Sequence, residues 1–117
     1  MKSGTDLINE ARTRIREVSP PDALATHAKG DATFLDVRDL QEVNLGRIPG
    51  AVHISRGNLE SKVEAIVPRD AAVVVYCGGG GRSALAADTL REMGYTNVSS
   101  LAGGFRGWAE AGGDIDG

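Results

Sequence analysis

Two hydrophobic periods alternate along the chain. Leu7, Ile8, Ala11, Ile15 and Val18 recur at three- and four-residue spacing with charges between them, the pattern of an amphipathic helix. Thr5 or Asp6 stands where its N-cap belongs. Ser19-Pro20-Pro21-Asp22 ends that helix and starts another over Ala23 to His27, with Gly30 as the exit. Thr33 to Val37 and Ala51 to Ile54 are short runs of β-formers separated by the turn Gly46-Arg47-Ile48-Pro49-Gly50. Asn58 to Val67 returns to helical spacing and stops at Pro68. Ala71 to Tyr76 is the most apolar strand, Arg82 to Met93 a run of good helix formers closing at Gly94, Val98 to Leu101 a last strand and Phe105 to Ala111 a last short helix.

Strands apolar on both faces, alternating with helices, predict an α/β fold: a three-layer α/β/α domain around a mainly parallel sheet of about five strands. Residues 1–18 read as an N-terminal amphipathic helical extension and residues 19–117 as the domain proper. The lead-in helix packs on its own domain or forms a dimer contact, so a monomer or weak homodimer is expected.

Composition narrows the function classes. A 41% hydrophobic content without a long apolar run fits neither a membrane span nor a disordered chain. A net charge of -3 without a basic stripe argues against nucleic acid as a partner. One cysteine cannot form an internal disulfide, and the N-terminus lacks a signal-peptide pattern, so a reducing cytoplasm is the expected compartment. His27, His53 and Cys77 do not have the spacing of a metal site. Glycine is the outlier: its 16 residues are nearly twice the usual share of about 7%.

Four of those glycines lie in one loop, Cys77-Gly78-Gly79-Gly80-Gly81-Arg82-Ser83, which leaves the most apolar strand and opens a helix. In parallel sheets ligands sit at the carboxyl ends of strands. Consecutive glycines there can wrap so that their N–H groups point inward, and the helix terminus adds positive potential. Such a cup favours the thiolate that a nucleophile needs, as does Arg82 if its guanidinium faces the loop. Other glycine-rich readings fail on spacing. The first glycine of a Walker loop would fall on Tyr76 and its lysine on Arg82, and the third glycine of a dinucleotide fingerprint on Ser83. Asp36 lies at a strand end near the loop; it caps a turn or pairs with Arg38, and Arg38 with Glu42 across the following helical turn. His27 and His53 read as structural, Phe105 and Trp108 as packing residues, and Gly112, Gly113 and Gly117 as loose ends.

Three blocks taken together resemble a single-domain rhodanese. They are Leu35-Asp36-Val37-Arg38-Asp39 with Gly46-Arg47-Ile48-Pro49-Gly50-Ala51, Tyr76-Cys77 with four residues to Arg82-Ser83, and Gly103-Gly104-Phe105-Arg106-Gly107-Trp108. The resemblance runs from about Ser19 to Gly113, in order and spacing. It implies a sulfurtransferase without metal or organic cofactor. Cys77 would take sulfane sulfur from a donor such as thiosulfate and hold it as a persulfide. The sulfur would then pass to cyanide, a thiol or a protein acceptor. Gly78, Gly79, Gly80, Gly81, Arg82 and Ser83 would bind the substrate, with Asp36 and Arg38 as supports behind them. Phosphatases of related fold carry one more residue between cysteine and arginine; the four found here favour sulfur. Two departures stand out: Arg47 replaces a frequent histidine, and the loop carries no side chain between Cys77 and Arg82. The bare loop implies a shallow, accessible site suited to a thiol or protein acceptor. A non-catalytic binding module of the same fold and a phosphatase or arsenate reductase are the alternatives.

Overall fold

A computed structural model describes residues 1–117. The elements run α1 (Gly4–Arg14), β1 (Arg16–Val18), α2 (Pro20–Lys29), β2 (Thr33–Asp36), α3 (Leu40–Asn44), β3 (Val52–His53), a 3-10 turn (Arg56–Asn58), α4 (Leu59–Ile66), β4 (Val73–Tyr76), α5 (Gly81–Glu92), β5 (Val98–Leu101) and α6 (Gly104–Glu110). The five strands form one parallel sheet in the order β1-β5-β4-β2-β3. The expected α/β architecture is the observed one.

Side-chain alternation along the central strands splits the core in two. Leu35, Val37, Val73, Val75 and Cys77 face one way, into a cluster with Leu59 and Val63 of α4 and Ala86, Ala87 and Leu90 of α5. Phe34, Val74 and Tyr76 face the other way, against Ala23, Leu101, Ile48 and Trp108. β4 is buried along its whole length, flanked by β2 and β5. Its carboxyl end therefore delivers Cys77 to the middle of the sheet edge where α5 begins.

The first eighteen residues depart from expectation. The helix ends at Arg14, and Ile15 is already extended. Arg16 to Val18 then pair with Ser99 to Leu101 as the edge strand of the sheet. Three residues are too few to display a two-residue period, so Val18 at helical spacing from Ile15 misled the pattern. The cap is Ser3, one of a reciprocal pair in which Asp6 N–H donates to Ser3 Oγ and Ser3 N–H to Asp6 Oδ2, each at 3.0 Å. The helix lies along α5, with Ala11 fully buried and Arg14 reaching Asp88.

The second helix begins where the prolines place it, on the N-cap Ser19, and Gly30 leaves it at φ 72°. At the C-terminus, Gly113 is not a loose end. Its N–H donates to Trp108 O at 3.0 Å, and a Cβ on Gly113 would collide with the Trp108 ring. Trp108 Nε1 in turn donates to Asp114 O at 2.8 Å. A helical period carries no information about such a tail, because the contact that orders it is with a ring several residues back.

Candidate active site

The loop from Cys77 to Ser83 closes around a sulfur atom. Cys77 Sγ accepts hydrogen bonds from Gly80 N–H at 3.0 Å and Ser83 N–H at 3.4 Å. Gly80 adopts φ 108°, a left-handed conformation that turns its N–H back toward the strand end and then starts α5. Two amides thus converge on Sγ at the root of a twelve-residue helix, whose dipole has its positive end there.

The last helix holds the loop from the opposite side. Phe105 N–H donates to Cys77 O at 2.7 Å and Arg106 N–H to Gly78 O at 3.1 Å. With those carbonyls pulled toward α6, the neighbouring amides are free to face the sulfur. Close approach requires Gly104, at φ 58°, where a Cβ would sit 2.5 Å from Cys77 O. This is the physical role of the Gly103-Gly104-Phe105 block: it grips the Cys77 loop by its backbone.

Ser83 departs from its expected place at the mouth. It is fully buried, and its Oγ donates to Gly80 O at 3.2 Å, bonds Ser100 Oγ at 2.8 Å and lies 3.5 Å from Sγ. The hydroxyl supports the loop from beneath, because the first turn of α5 points position 83 at Ser100 of β5. The expected accessibility of the sulfur is also corrected, while the expected shallowness is not contradicted. Cys77 is 1% exposed, and neither cavity of the protein is lined by a loop residue.

Arg82 does stand at the mouth, and it has a partner that the sequence pattern assigned elsewhere. Its Nη1 and Nη2 donate to Glu42 Oε1 and Oε2 at 2.7 and 3.0 Å. This fork keeps the Glu42 carboxyl below the usual carboxylate range and raises the Arg82 guanidinium further. The expected Arg38–Glu42 pair does not form. Arg38 instead grips Asp36, Nε to Oδ1 at 3.0 Å and Nη2 to Oδ2 at 2.8 Å, and donates from Nη2 to Gly46 O at 2.7 Å. Asp36 and Arg38 do pair, at 0% and 4% exposure.

Their site is behind the loop. The Arg38 guanidinium carbon lies 4.4 Å from the Phe105 ring centroid, and Phe105 stacks on Tyr76 at 6.2 Å. Tyr76 OH accepts from Ile48 N–H at 3.1 Å, and burial, with Asp36 beside it, pushes its pKa up. The pair therefore braces the strand residue before Cys77 and the helix that holds the loop carbonyls. His53 Nε2 bonds Arg38 O at 2.8 Å and His27 Nε2 bonds Pro49 O at 2.8 Å, both structural.

Two residues of α1 also reach the loop and were missed. A Cβ on Gly81 would lie 3.1 Å from Ile8 Cδ1, and one on Gly80 would lie 3.7 Å from Arg12 Nη2. Nothing in the local pattern marks Arg12, since its approach depends on how α1 lies against α5. Glu42 carried a usable signal. Asp39-Leu40-Gln41-Glu42 has capping-box spacing, which predicts a helix start that turns position 42 back toward the strand ends.

Comparison with known proteins identifies the family. The rhodanese-like domain family matches residues 19–111. The chain belongs to the rhodanese-like family. It is 35% identical over 96 residues to the thiosulfate sulfurtransferase GlpE of Pseudomonas entomophila, covering 82% of this chain and 86% of that one. It is 34% identical over 106 residues to the human thiosulfate:glutathione sulfurtransferase, covering 80% and 92%. A putative sulfur carrier protein of Bacillus subtilis, YrkF, is 30% identical over 110 residues, and the chain spans 58% of its length. Among solved structures, a Rhodopseudomonas palustris protein of unknown function, described as a possible tyrosine phosphatase, superposes with TM-score 0.91 at 36% identity. That match covers 99% of this chain and 96% of the other, so it includes α1 and β1. The rhodanese-like fold and its single-domain sulfurtransferase relatives support sulfur transfer as the general activity.

Proposed function

We propose that the protein moves sulfane sulfur by way of a persulfide on Cys77. The observation that carries the proposal is the convergence of Gly80 and Ser83 N–H groups on Cys77 Sγ. In the first half-reaction the thiolate attacks the outer sulfur of a donor such as thiosulfate. The new S–S bond takes the electron pair of the thiolate, the donor's own S–S bond breaks, and sulfite leaves with its pair. In the second half-reaction cyanide, a thiol or a protein thiolate attacks the terminal sulfur and returns Cys77 to the thiolate. Charge and atoms balance in each step. The two amides favour the anionic sulfur at the start and end of the cycle.

Incubation with excess thiosulfate is expected to add about 32 Da to the intact protein, one sulfur atom. Cyanide or dithiothreitol should remove it, with thiocyanate as the cyanide product, and Cys77→Ser should gain nothing. Wild-type protein that stays at its unmodified mass would sink the proposal. Aryl phosphate and arsenate serve as controls for the phosphatase and reductase readings, and turnover of either above sulfur transfer would favour them. The near-complete burial of Cys77 favours a second reading, a docking module in which the thiol is incidental. That reading expects partner capture to be the same in wild type and Cys77→Ala.

A further inference from the structure

The carboxylate of Glu42 stands beside Gly78, the first glycine of the loop. A Cβ on Gly78, the first residue after Cys77, would lie 3.2 Å from Arg82 Nη2 and 3.6 Å from Glu42 Oε2. The ion pair therefore sits over the start of the loop. The other loop residues up to Arg82 are glycines, so no side chain of their own stands between an incoming donor and this pair. Both terminal nitrogens of Arg82 are committed to Glu42, and Glu42 Oε1 also accepts from Asp39 N–H at 3.4 Å. A second guanidinium, that of Arg12, lies near Gly80 and is shared with Glu17 at 3.7 Å.

We infer that Glu42 is a specificity-determining residue that biases the Cys77 site against dianionic sulfur donors and toward donors of lower charge. This rests on the sulfurtransferase reading above and refines its substrate class. A dianion such as thiosulfate must either approach a fixed carboxylate or displace it from Arg82. A monoanion meets half the opposing charge. Because Arg82 holds the Glu42 carboxyl below the usual range, this negative charge persists through the neutral and mildly acidic range.

Thiosulfate and methanethiosulfonate separate charge from size. Both present one sulfane sulfur on a tetrahedral sulfur, the leaving groups being sulfite and methanesulfinate, and they differ by one unit of charge. The measurement is kcat/KM for each donor in wild type, Glu42→Gln and Glu42→Asp. In Glu42→Gln the thiosulfate value should rise about tenfold and the methanethiosulfonate value about threefold, so their ratio moves toward thiosulfate. Glu42→Asp keeps the charge and should keep the wild-type ratio within about twofold. An unchanged ratio in Glu42→Gln, whatever the absolute rates, overturns the inference, as does a Glu42→Asp shift equal to that of Glu42→Gln. A second measurement needs no variant. Added salt should help thiosulfate relative to methanethiosulfonate in wild type, and the opposite sign would mean that the mouth attracts dianions. Wild type that accepts sulfur from neither donor overturns the underlying sulfurtransferase reading, an outcome distinct from normal transfer with an unaltered donor ratio.

Discussion

Asp36 with Arg38 and Glu42 with Arg82 are the same chemical pair, a carboxylate held by two nitrogens of a guanidinium, in two different environments. The first is sealed behind the Cys77 loop, with a backbone carbonyl and two aromatic rings completing the shell of the guanidinium. Every buried side-chain nitrogen and oxygen of the protein has a hydrogen-bond partner, so this network is fully satisfied. The second sits at the mouth, with side-chain exposures of 37% for Glu42 and 40% for Arg82. Burial decides what each is for. A sealed pair cannot meet a ligand, but it cannot lose a member without leaving a bare charge in the interior. An open pair contributes little to stability and is free to act on what approaches.

Breaking the sealed pair gives the largest expected effect. Arg38→Met leaves Asp36 without its partner and should cost about 3–5 kcal/mol in urea unfolding. A loss under about 1 kcal/mol would show that the two pairs are energetically alike and dissolve the contrast.

Asp88 is an intermediate case. It is buried, yet its partners Arg14 and Arg91 are largely exposed, and the Arg14 hydrogen bond followed by Arg91 lowers its pKa against the opposing effect of burial. Asp88→Asn should lower Tm by about 4 °C at pH 7. A depressed carboxylate contributes stability above its unfolded pKa of about 3.9 and loses it as pH falls through the lower folded value. The Tm difference between wild type and variant should therefore narrow below about pH 4 and vanish when both states are protonated. A difference that widens on acidification would contradict the assigned direction.

The smallest stability effect belongs to the open pair. Glu42→Gln should change unfolding free energy by less than about 1 kcal/mol, and raising salt should shrink even that. A loss as large as that of Arg38→Met would make Glu42 a structural residue and remove the reason for placing it in donor selection. The same substitution is expected to move the donor ratio, so stability and specificity should rank the two pairs in opposite order.

The difference between the pairs also shows where the sequence stopped being informative. Asp36 and Arg38 are two residues apart at a strand end, and their pairing was one of the two roles that spacing offered. Glu42 and Arg82 are forty positions apart, so their pairing depends on β2 and β4 lying side by side with α3 and α5 leaving from the same edge. Strand β1 was invisible for a related reason: its three residues become a strand only when β5 supplies the partner. Arg12 follows from the same packing, through the position of α1 on α5.

The alternation of strands and helices, the single cysteine after the most apolar strand, the four-residue spacing to Arg82 and the glycines of the loop were all determined by the sequence itself. Each is a property of neighbouring residues: hydrophobic period, propensity, or the absence of a Cβ. Tertiary structure decided the rest. It buried Cys77 and turned Ser83 beneath it, took Glu42 from Arg38 and gave it to Arg82, and brought α1 to the loop. Those outcomes depend on which surfaces meet when two layers of helices close on a parallel sheet, and that is set by long-range packing, for which local spacing carries no signal.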